Sequence, residues 1–221
     1  MCFSQTVSFV GGGALLAGGA YSVWKATEIN PRYLPAAALP ILAGIQQMFE
    51  GHVWMGLDRG DAAMVSWAAL GFIAFSWLAW PVLIPFLTAI LEPDKRKKRI
   101  MLMFALAGTV LGLMMFVPYV LYPDWLTVRI ARGSLAYGDR MLTDTLMPRE
   151  LTYLIYLIIV ITPPLLSSFY HMRLFGLTTY FLLYYAYISF FCILAVAGTL
   201  HLIYIIAYNK CCQRHCPVVF R

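Results

Sequence analysis

Apolar residues dominate long stretches of this chain, and polar residues gather in short connections between them. A run of about 20 apolar residues is long enough to cross the roughly 30 Å hydrocarbon core of a bilayer as a helix. The pattern predicts transmembrane helices at residues 8–24, 36–57, 62–91, 100–121, 151–170, 173–187 and 188–208. The predicted fold is therefore an all-α, seven-helix transmembrane bundle that forms one domain, residues 1–221.

Two features of these runs shape the predicted helices. The last two runs are continuous over about 35 residues, too long for one crossing, so we divide them near Tyr187 into a tight helical hairpin. A six-helix bundle without that division is the main alternative. Pro81 and Pro85 in the third run, and Pro163-Pro164 in the fifth, predict kinked or tilted helices.

The longest connection, residues 122–150, carries its own short pattern. Leu126, Val128 and Ile130 alternate with polar residues, and Leu135 and Tyr137 flank Ala136 after a turn-forming segment. Alternation of this kind is typical of a β-hairpin that covers one mouth of the bundle. An irregular loop remains the alternative.

Composition supports a membrane protein, since 62% of the residues are hydrophobic and only 12% are charged. Soluble domains carry about 25% charged residues. The net charge of +6 does not indicate nucleic-acid binding, because five basic residues are concentrated at 95–99, between two apolar runs. A basic loop beside a transmembrane helix is typical of a cytoplasmic connection that faces anionic lipid.

The distribution of Lys and Arg predicts the orientation. Alternate connections carry five of these residues on one side and eleven on the other, the larger group including the basic loop 95–99. The excess marks the cytoplasmic side, which gives an N-terminus outside and a C-terminus inside. The first apolar run lacks a preceding basic segment, so we expect it to be retained as a helix. The expected location is the plasma or inner membrane, with the lipid bilayer as partner.

Glu50 is the one acidic residue that lies inside an apolar run. A carboxylate at the centre of a bilayer costs roughly 2.5–3.5 kcal/mol on insertion scales, so such residues pair with protein groups or carry a function. Gln46, Gln47 and Trp54 recur at helical spacing with Glu50 and share one face of the second helix. Either glutamine could donate a hydrogen bond to the carboxylate. We expect this face to form a binding site for a small solute or ion.

Other polar residues are predicted at a similar depth in the outer leaflet. Tyr187 and Ser189 extend the candidate solute site, whereas a possible transition-metal site would draw on Cys2, His52, Cys192 and His201. Removal of Met1 would give Cys2 a free amine beside its thiol. His52 lies about 200° around the helix from Glu50, so the two do not form a pair. His201 is predicted deeper and could instead be a buried structural histidine.

The residues also resemble a known family. Met1-Cys2-Phe3-Ser4 and the segment 44–54, Gly-Ile-Gln-Gln-x-x-Glu-Gly-x-Val-Trp, are similar to motifs of a bacterial polytopic membrane family classed as a domain of unknown function. Leu174-Phe175-Gly176 and the Ser189 to Ala195 stretch resemble its last two helices, with Phe191 where that family usually has tryptophan. The resemblance implies a small polytopic membrane protein and no particular activity.

Three functions fit these observations. The first is binding or transport of a small solute or ion, with Glu50 carrying a proton or cation. The second is an intramembrane metal-dependent enzyme of hydrolase type, whose catalytic residues the sequence does not identify. The third is an accessory subunit of a larger membrane complex or an oligomer. A retinal photoreceptor is excluded because every Lys lies outside the predicted helices.

Overall fold

A computed structural model describes residues 4–131, 133–170, 172–177 and 198–208 of the chain. Within these ranges the protein is mostly helical, and it contains the helices α1 Gln5–Ile29, α2 Leu34–Ala37, α3 Leu39–Arg59, α4 Ala62–Ile73, α5 Trp80–Leu91, α6 Lys95–Leu121 and α7 Arg149–Leu166. A π-helical turn, Ala74–Ala79, joins α4 and α5 into one continuous segment. Residues 172–177 and 198–203 are also helical, and a second π-helical turn follows at Tyr204–Tyr208.

Short polar side chains define where the helices begin. Ser4 precedes α1 and accepts a hydrogen bond from the amide of Val7, while Asp61 precedes α4 and accepts one from Met64. Asp94 caps α6 by accepting from the amides of Arg96 and Lys97 at 2.7 and 3.1 Å. These two hydrogen bonds lower the pKa of the Asp94 carboxyl. Each cap satisfies amides that the first turn of a helix leaves without partners.

Four helical segments in the described ranges are long and apolar enough to cross a membrane: Gln5–Ile29, Ala62–Leu91, Lys95–Leu121 and Arg149–Leu166. The helix α3 is not among them, since Gln46, Gln47, Glu50 and His52 make it more polar than its neighbours. The predicted junction at Tyr187 lies outside the described residues, so the number of seven helices stays a prediction.

Two predicted boundaries differ from the structure. The basic segment 95–99 is not a loop but the first turns of α6, because Asp94 caps the helix before it. The fifth helix ends at Leu166 rather than at residue 170, so Pro163-Pro164 lie in its last turn. In the third run, the irregularity is the π-helical turn that precedes Pro81.

Glycines allow the helices to pack closely. The helices α1 and α3 are antiparallel, with Gly12 against Gly44 and Phe9 against Gly51. On α6, Gly108 and Gly112, whose spacing predicts a helix contact, face the carbonyl oxygens of Pro81 and Trp77. Small residues at these positions bring backbones into van der Waals contact, which stabilises helix packing where the surroundings are apolar.

The connection between α6 and α7 contains the β-hairpin that was one of the two alternatives for it. Strands β1, Val128–Ala131, and β2, Ser134–Tyr137, pair antiparallel, with Val128 opposite Tyr137. Leu135 is 1% exposed and packs on Val53 and Trp54 near the end of α3. We call this end of the bundle the hairpin end and the end that carries residues 95–99 the basic end.

A second core cluster lies beneath the hairpin, among the helices. Its buried residues come from α4, α6, α7 and the hairpin connection, namely Phe72, Ile73, Leu111, Met115, Tyr119, Met141 and Ile159. The Tyr119 hydroxyl donates to the carbonyl of Arg140 at 2.5 Å, which fixes the connection to α6. The hairpin is therefore an integral part of the packed core.

The buried carboxylate of Glu92 connects two segments at the basic end. Glu92, 2% exposed, accepts hydrogen bonds from the Ser167 hydroxyl at 3.0 Å and the Ser168 amide at 2.8 Å. Lys97 donates to the Ser168 hydroxyl at 3.0 Å. The loop after α5 is therefore fastened to the end of α7 by charge-assisted hydrogen bonds.

The glycine contacts yield a stability prediction. A methyl group at Gly108 would collide with the Pro81 carbonyl oxygen, so Gly108→Ala should force α5 and α6 apart. We expect a loss of about 1–3 kcal/mol, seen as a lower melting temperature in detergent. Gly13→Ala is the matched control, because nothing lies within 4 Å of its added methyl, and it should be neutral or stabilising. Equal melting temperatures for the two variants would contradict this packing.

Candidate functional site

The polar face of α3 is turned into the protein. Gln46, Gln47, Glu50 and Trp54 are 3%, 1%, 0% and 7% exposed. Helix α1 covers one side of α3 and α4 covers another, with the hairpin over the end that follows Trp54. The Glu50 carboxyl is therefore enclosed by protein.

Gln46 connects α3 to the π-helical turn. Its amide nitrogen donates to the Ser76 hydroxyl at 2.7 Å, and its amide oxygen accepts from the indole nitrogen of Trp80 at 2.6 Å. Of the two glutamines that could donate to Glu50, Gln46 therefore has its amide hydrogen-bonded to these two partners. An indole N–H can only donate, so the Trp80 contact fixes the orientation of the amide.

The π-helical turn also connects to α7. The hydroxyl of Tyr156 donates to the Ser76 carbonyl at 2.6 Å. A π-helical turn displaces carbonyls from the regular helical hydrogen-bond pattern, and such turns are frequent at functional sites. Ser76 thus contacts α3 through its hydroxyl and α7 through its carbonyl, which makes it the centre of a half-buried polar network with Gln46, Trp80 and Tyr156.

Tyr137 of the hairpin lies close enough to Glu50 for the charge of the carboxylate to act on its phenol. Its ring stacks on Phe72, with centroids 4.8 Å apart and planes inclined by 17°. Its hydroxyl is buried and has no hydrogen-bond partner within the described part of the chain. Burial raises the pKa of the Tyr137 phenol well above its usual range, and the negative charge of Glu50 raises it further. The phenol is therefore neutral and able to donate or accept a hydrogen bond.

Ser8 approaches α3 from the other side. It lies one turn before Gly12 on the α1 face that packs on Gln47, and its neighbour Phe9 contacts Gly51. This register places Ser8 near the level of Glu50. The Ser8 hydroxyl is 0% exposed and has no hydrogen-bond partner among the residues that the structure describes.

His52 does not belong to this cluster. Its ring lies between Phe9, at a centroid distance of 5.2 Å, and Trp67, at 5.4 Å. The Nδ1 atom lies 2.7 Å from the Met48 carbonyl, and because a carbonyl only accepts, Nδ1 carries the proton. The other ring nitrogen, Nε2, is then the only one that could bind a metal.

His201 lies at the opposite end of the bundle from Glu50. It lines an apolar cavity of about 70 Å³ together with Leu39, Leu87, Leu91 and Phe175. Leu39 begins α3, so 13 residues or roughly 20 Å of helix separate this level from His52. The two histidines therefore do not share a site. Within the described ranges, no three His, Cys, Asp or Glu side chains lie together as a metal site would require.

Four predicted site residues lie outside the described ranges. Cys2 precedes them, and Tyr187, Ser189 and Cys192 fall between residues 177 and 198. Their roles in a solute or metal site therefore stay predictions.

The structure also identifies residues that the sequence did not. Ser76, Trp80 and Tyr156 lie in apolar runs, where one hydroxyl or indole is common and gives no signal. Tyr137 did carry a signal, since the alternation with Leu135 placed both on one face of a predicted strand. The sequence did not show that this face would pack on α3 and α4.

Comparison with known proteins gives one family. Residues 1–216 match the profile described as "Family of unknown function (DUF6629)". The match covers nearly the whole chain, so the protein belongs to this family, as the resemblance to a family of unknown function predicted. No curated protein and no solved structure matches significantly.

The Gln46 network yields a double-mutant prediction. Gln46→Leu leaves the indole N–H of Trp80 buried without its acceptor, and Trp80→Phe removes that donor. Each variant should lose about 1–3 kcal/mol of stability, and the double variant should lose less than their sum by about 0.5–3 kcal/mol. The free energy of unfolding is measured in mixed detergent micelles for the wild type, the two single variants and the double variant. Losses that simply add would show that the two side chains are not coupled.

Proposed function

We propose that this member of the DUF6629 family is an integral membrane protein that binds or transports a small solute or ion, with Glu50 as the group that carries a proton or cation. The observation that carries the proposal is the complete burial of this carboxyl inside the helix bundle. Carboxylates at membrane depth are costly and are kept where they pair or function.

The exposed surface supports a membrane location. Many large apolar side chains on the outer faces of the long helices are exposed, among them Met103 and Leu106 of α6 at 65% and 67%. Soluble monomers rarely expose continuous apolar surface of this kind. Polar groups lie inside and apolar groups outside, which is the arrangement that a bilayer requires.

We further propose seven transmembrane helices with the hairpin outside and the basic end in the cytoplasm. The helix α3 would be a central crossing whose polar face is shielded by its neighbours, and two further crossings would follow α7. The excess of Lys and Arg at the basic end supports this orientation.

The polar network suggests how the site could change shape. Gln46 lies one turn from Glu50 on α3 and is hydrogen-bonded to the π-helical turn at Ser76. A π-helical turn can revert to a regular helix by a small shift in register, which would move Ser76 relative to Gln46. Binding at Glu50 would then be linked to movement of α4 and α5 against α3.

The orientation predicts which sites an impermeant reagent can reach. In a variant without native cysteines, Gly133→Cys at the exposed hairpin turn should react with an impermeant maleimide on intact cells. Lys98→Cys, exposed at the basic end, should react only after the membrane is opened. The reverse pattern of labelling would overturn the proposed orientation.

The central role of Glu50 predicts a transport phenotype. Purified protein in proteoliposomes is tested by membrane electrometry with gradients of H⁺, Li⁺, Na⁺, K⁺, NH₄⁺, Mg²⁺ and Ca²⁺. We expect currents for at least one ion, and Glu50→Gln should reduce them at least about tenfold by removing the charge that binds the ion.

Glu150→Gln is the matched control, because Glu150 is exposed at the start of α7, and it should leave the currents unchanged. Currents that Glu50→Gln does not alter, or wild-type protein that gives no current with any of these ions, would contradict the proposed transport.

A further inference from the structure

The hairpin brings a second functional group, Tyr137, to the Glu50 site, and its role rests on the proposed function of Glu50. Leu135 and Tyr137 alternate on the face of β2 that packs on the bundle. The Tyr137 ring contacts both the cluster around Val53 and Trp54 and the cluster around Phe72. Its position is therefore fixed by packing on α3 and α4, independently of its hydroxyl.

The base of the hairpin is held closed by several contacts. The amide of Gly138 donates to the Thr127 carbonyl at 2.8 Å, and the Thr127 hydroxyl donates to Asp139 at 2.8 Å. Arg129 also approaches Asp139 at 3.3 Å. These contacts hold β2 over the bundle, so the Tyr137 hydroxyl stays buried at the hairpin end of the Glu50 site.

A buried hydroxyl that has no partner in the described part of the chain needs a reason, because leaving it unpaired costs about 1–3 kcal/mol. The Tyr137 hydroxyl can donate a hydrogen bond, and its oxygen can coordinate a bound cation through its lone pairs. Donation requires the phenol to keep its proton, and the raised pKa of the buried Tyr137 phenol favours that form.

The chemistry of the site limits its occupant. Oxygen donors favour hard cations, whereas soft transition metals favour Cys and His. Glu50 is the one acidic residue at this depth of α3, so the protein offers a single negative charge here. A divalent ion would keep an uncompensated charge in an apolar interior, which is costly.

We propose that Glu50 and Tyr137 together form a binding site for a small monovalent cation, with the carboxylate supplying the compensating charge, the phenolic oxygen a second ligand, and the hairpin the cover on its outer side. An ion that approaches from outside must displace the hairpin, and Tyr137 is the residue that moves with it.

The experiment measures the melting temperature of purified full-length protein in detergent. Li⁺, Na⁺ and K⁺ are each titrated against choline at constant ionic strength, with Mg²⁺ and Ca²⁺ titrated in parallel. A ligand that binds only the folded state raises the melting temperature as its concentration passes the dissociation constant. At least one of the monovalent ions should produce a saturable rise.

Tyr137→Phe keeps the ring that stacks on Phe72 and should weaken the apparent cation affinity at least about tenfold. Glu50→Gln should abolish the rise. Tyr119→Phe is the matched control, because the Tyr119 hydroxyl bonds to the Arg140 carbonyl instead, and it should keep the wild-type affinity even if its baseline melting temperature falls.

The results separate this inference from the proposed function. Currents that depend on Glu50, without any rise caused by a monovalent ion, would overturn the cation site and leave the proposed function standing. A stronger rise with Mg²⁺ or Ca²⁺, or unchanged affinity in Tyr137→Phe, would also overturn it. A saturable rise that Glu50→Gln does not affect would overturn both.

Discussion

The charge on one side chain constrains how this bundle is built. In the proposed bilayer, a carboxylate that faced hydrocarbon would carry a penalty of several kcal/mol, so the helix that carries Glu50 has to be covered by protein. The structure satisfies this requirement by placing α3 between α1 and α4, with the hairpin over its end. The helices α1, α6 and α7 carry no acidic residue in their middle and expose apolar faces, which the proposed bilayer would cover.

Covering α3 so completely depends on close helix contacts. Gly12 and Gly44 bring α1 and α3 together until their backbones touch, and Gly71 lets Phe49 lie against α4. Among the described residues, the hairpin covers the end of α3 with Leu135 and Tyr137. A short hairpin suits this position because its alternation puts every second residue on the bundle, while the remaining residues face outward.

The sequence predicted what depends on local pattern. Glu50 inside an apolar run, its face shared with Gln46 and Gln47, and the alternation at Leu135 and Tyr137 all follow from periodicity in the residues themselves. It could not predict the partners, because Ser76 and Tyr156 are brought to the polar face by tertiary packing over 30 and 110 positions of sequence from Gln46. The basic segment 95–99 is helical for a local reason, because Asp94 caps the first turn and the charge of the residues after it does not prevent the helix.

The π-helical turn gives the most specific argument that the polar network around Ser76 does more than hold helices together. A regular helix from Ala62 to Leu91 would satisfy its own backbone and would be the simpler structure in an apolar medium. The irregular turn at Ser76 instead offers a hydroxyl to Gln46 and a carbonyl to Tyr156. These two hydrogen bonds compensate for the irregular backbone only while α3, α5 and α7 keep their relative positions. Gln46 lies one helical turn from Glu50 and is hydrogen-bonded to Ser76. Any movement of α3 that follows a change at Glu50 would therefore displace Ser76 and alter how α4 and α5 pack on α7.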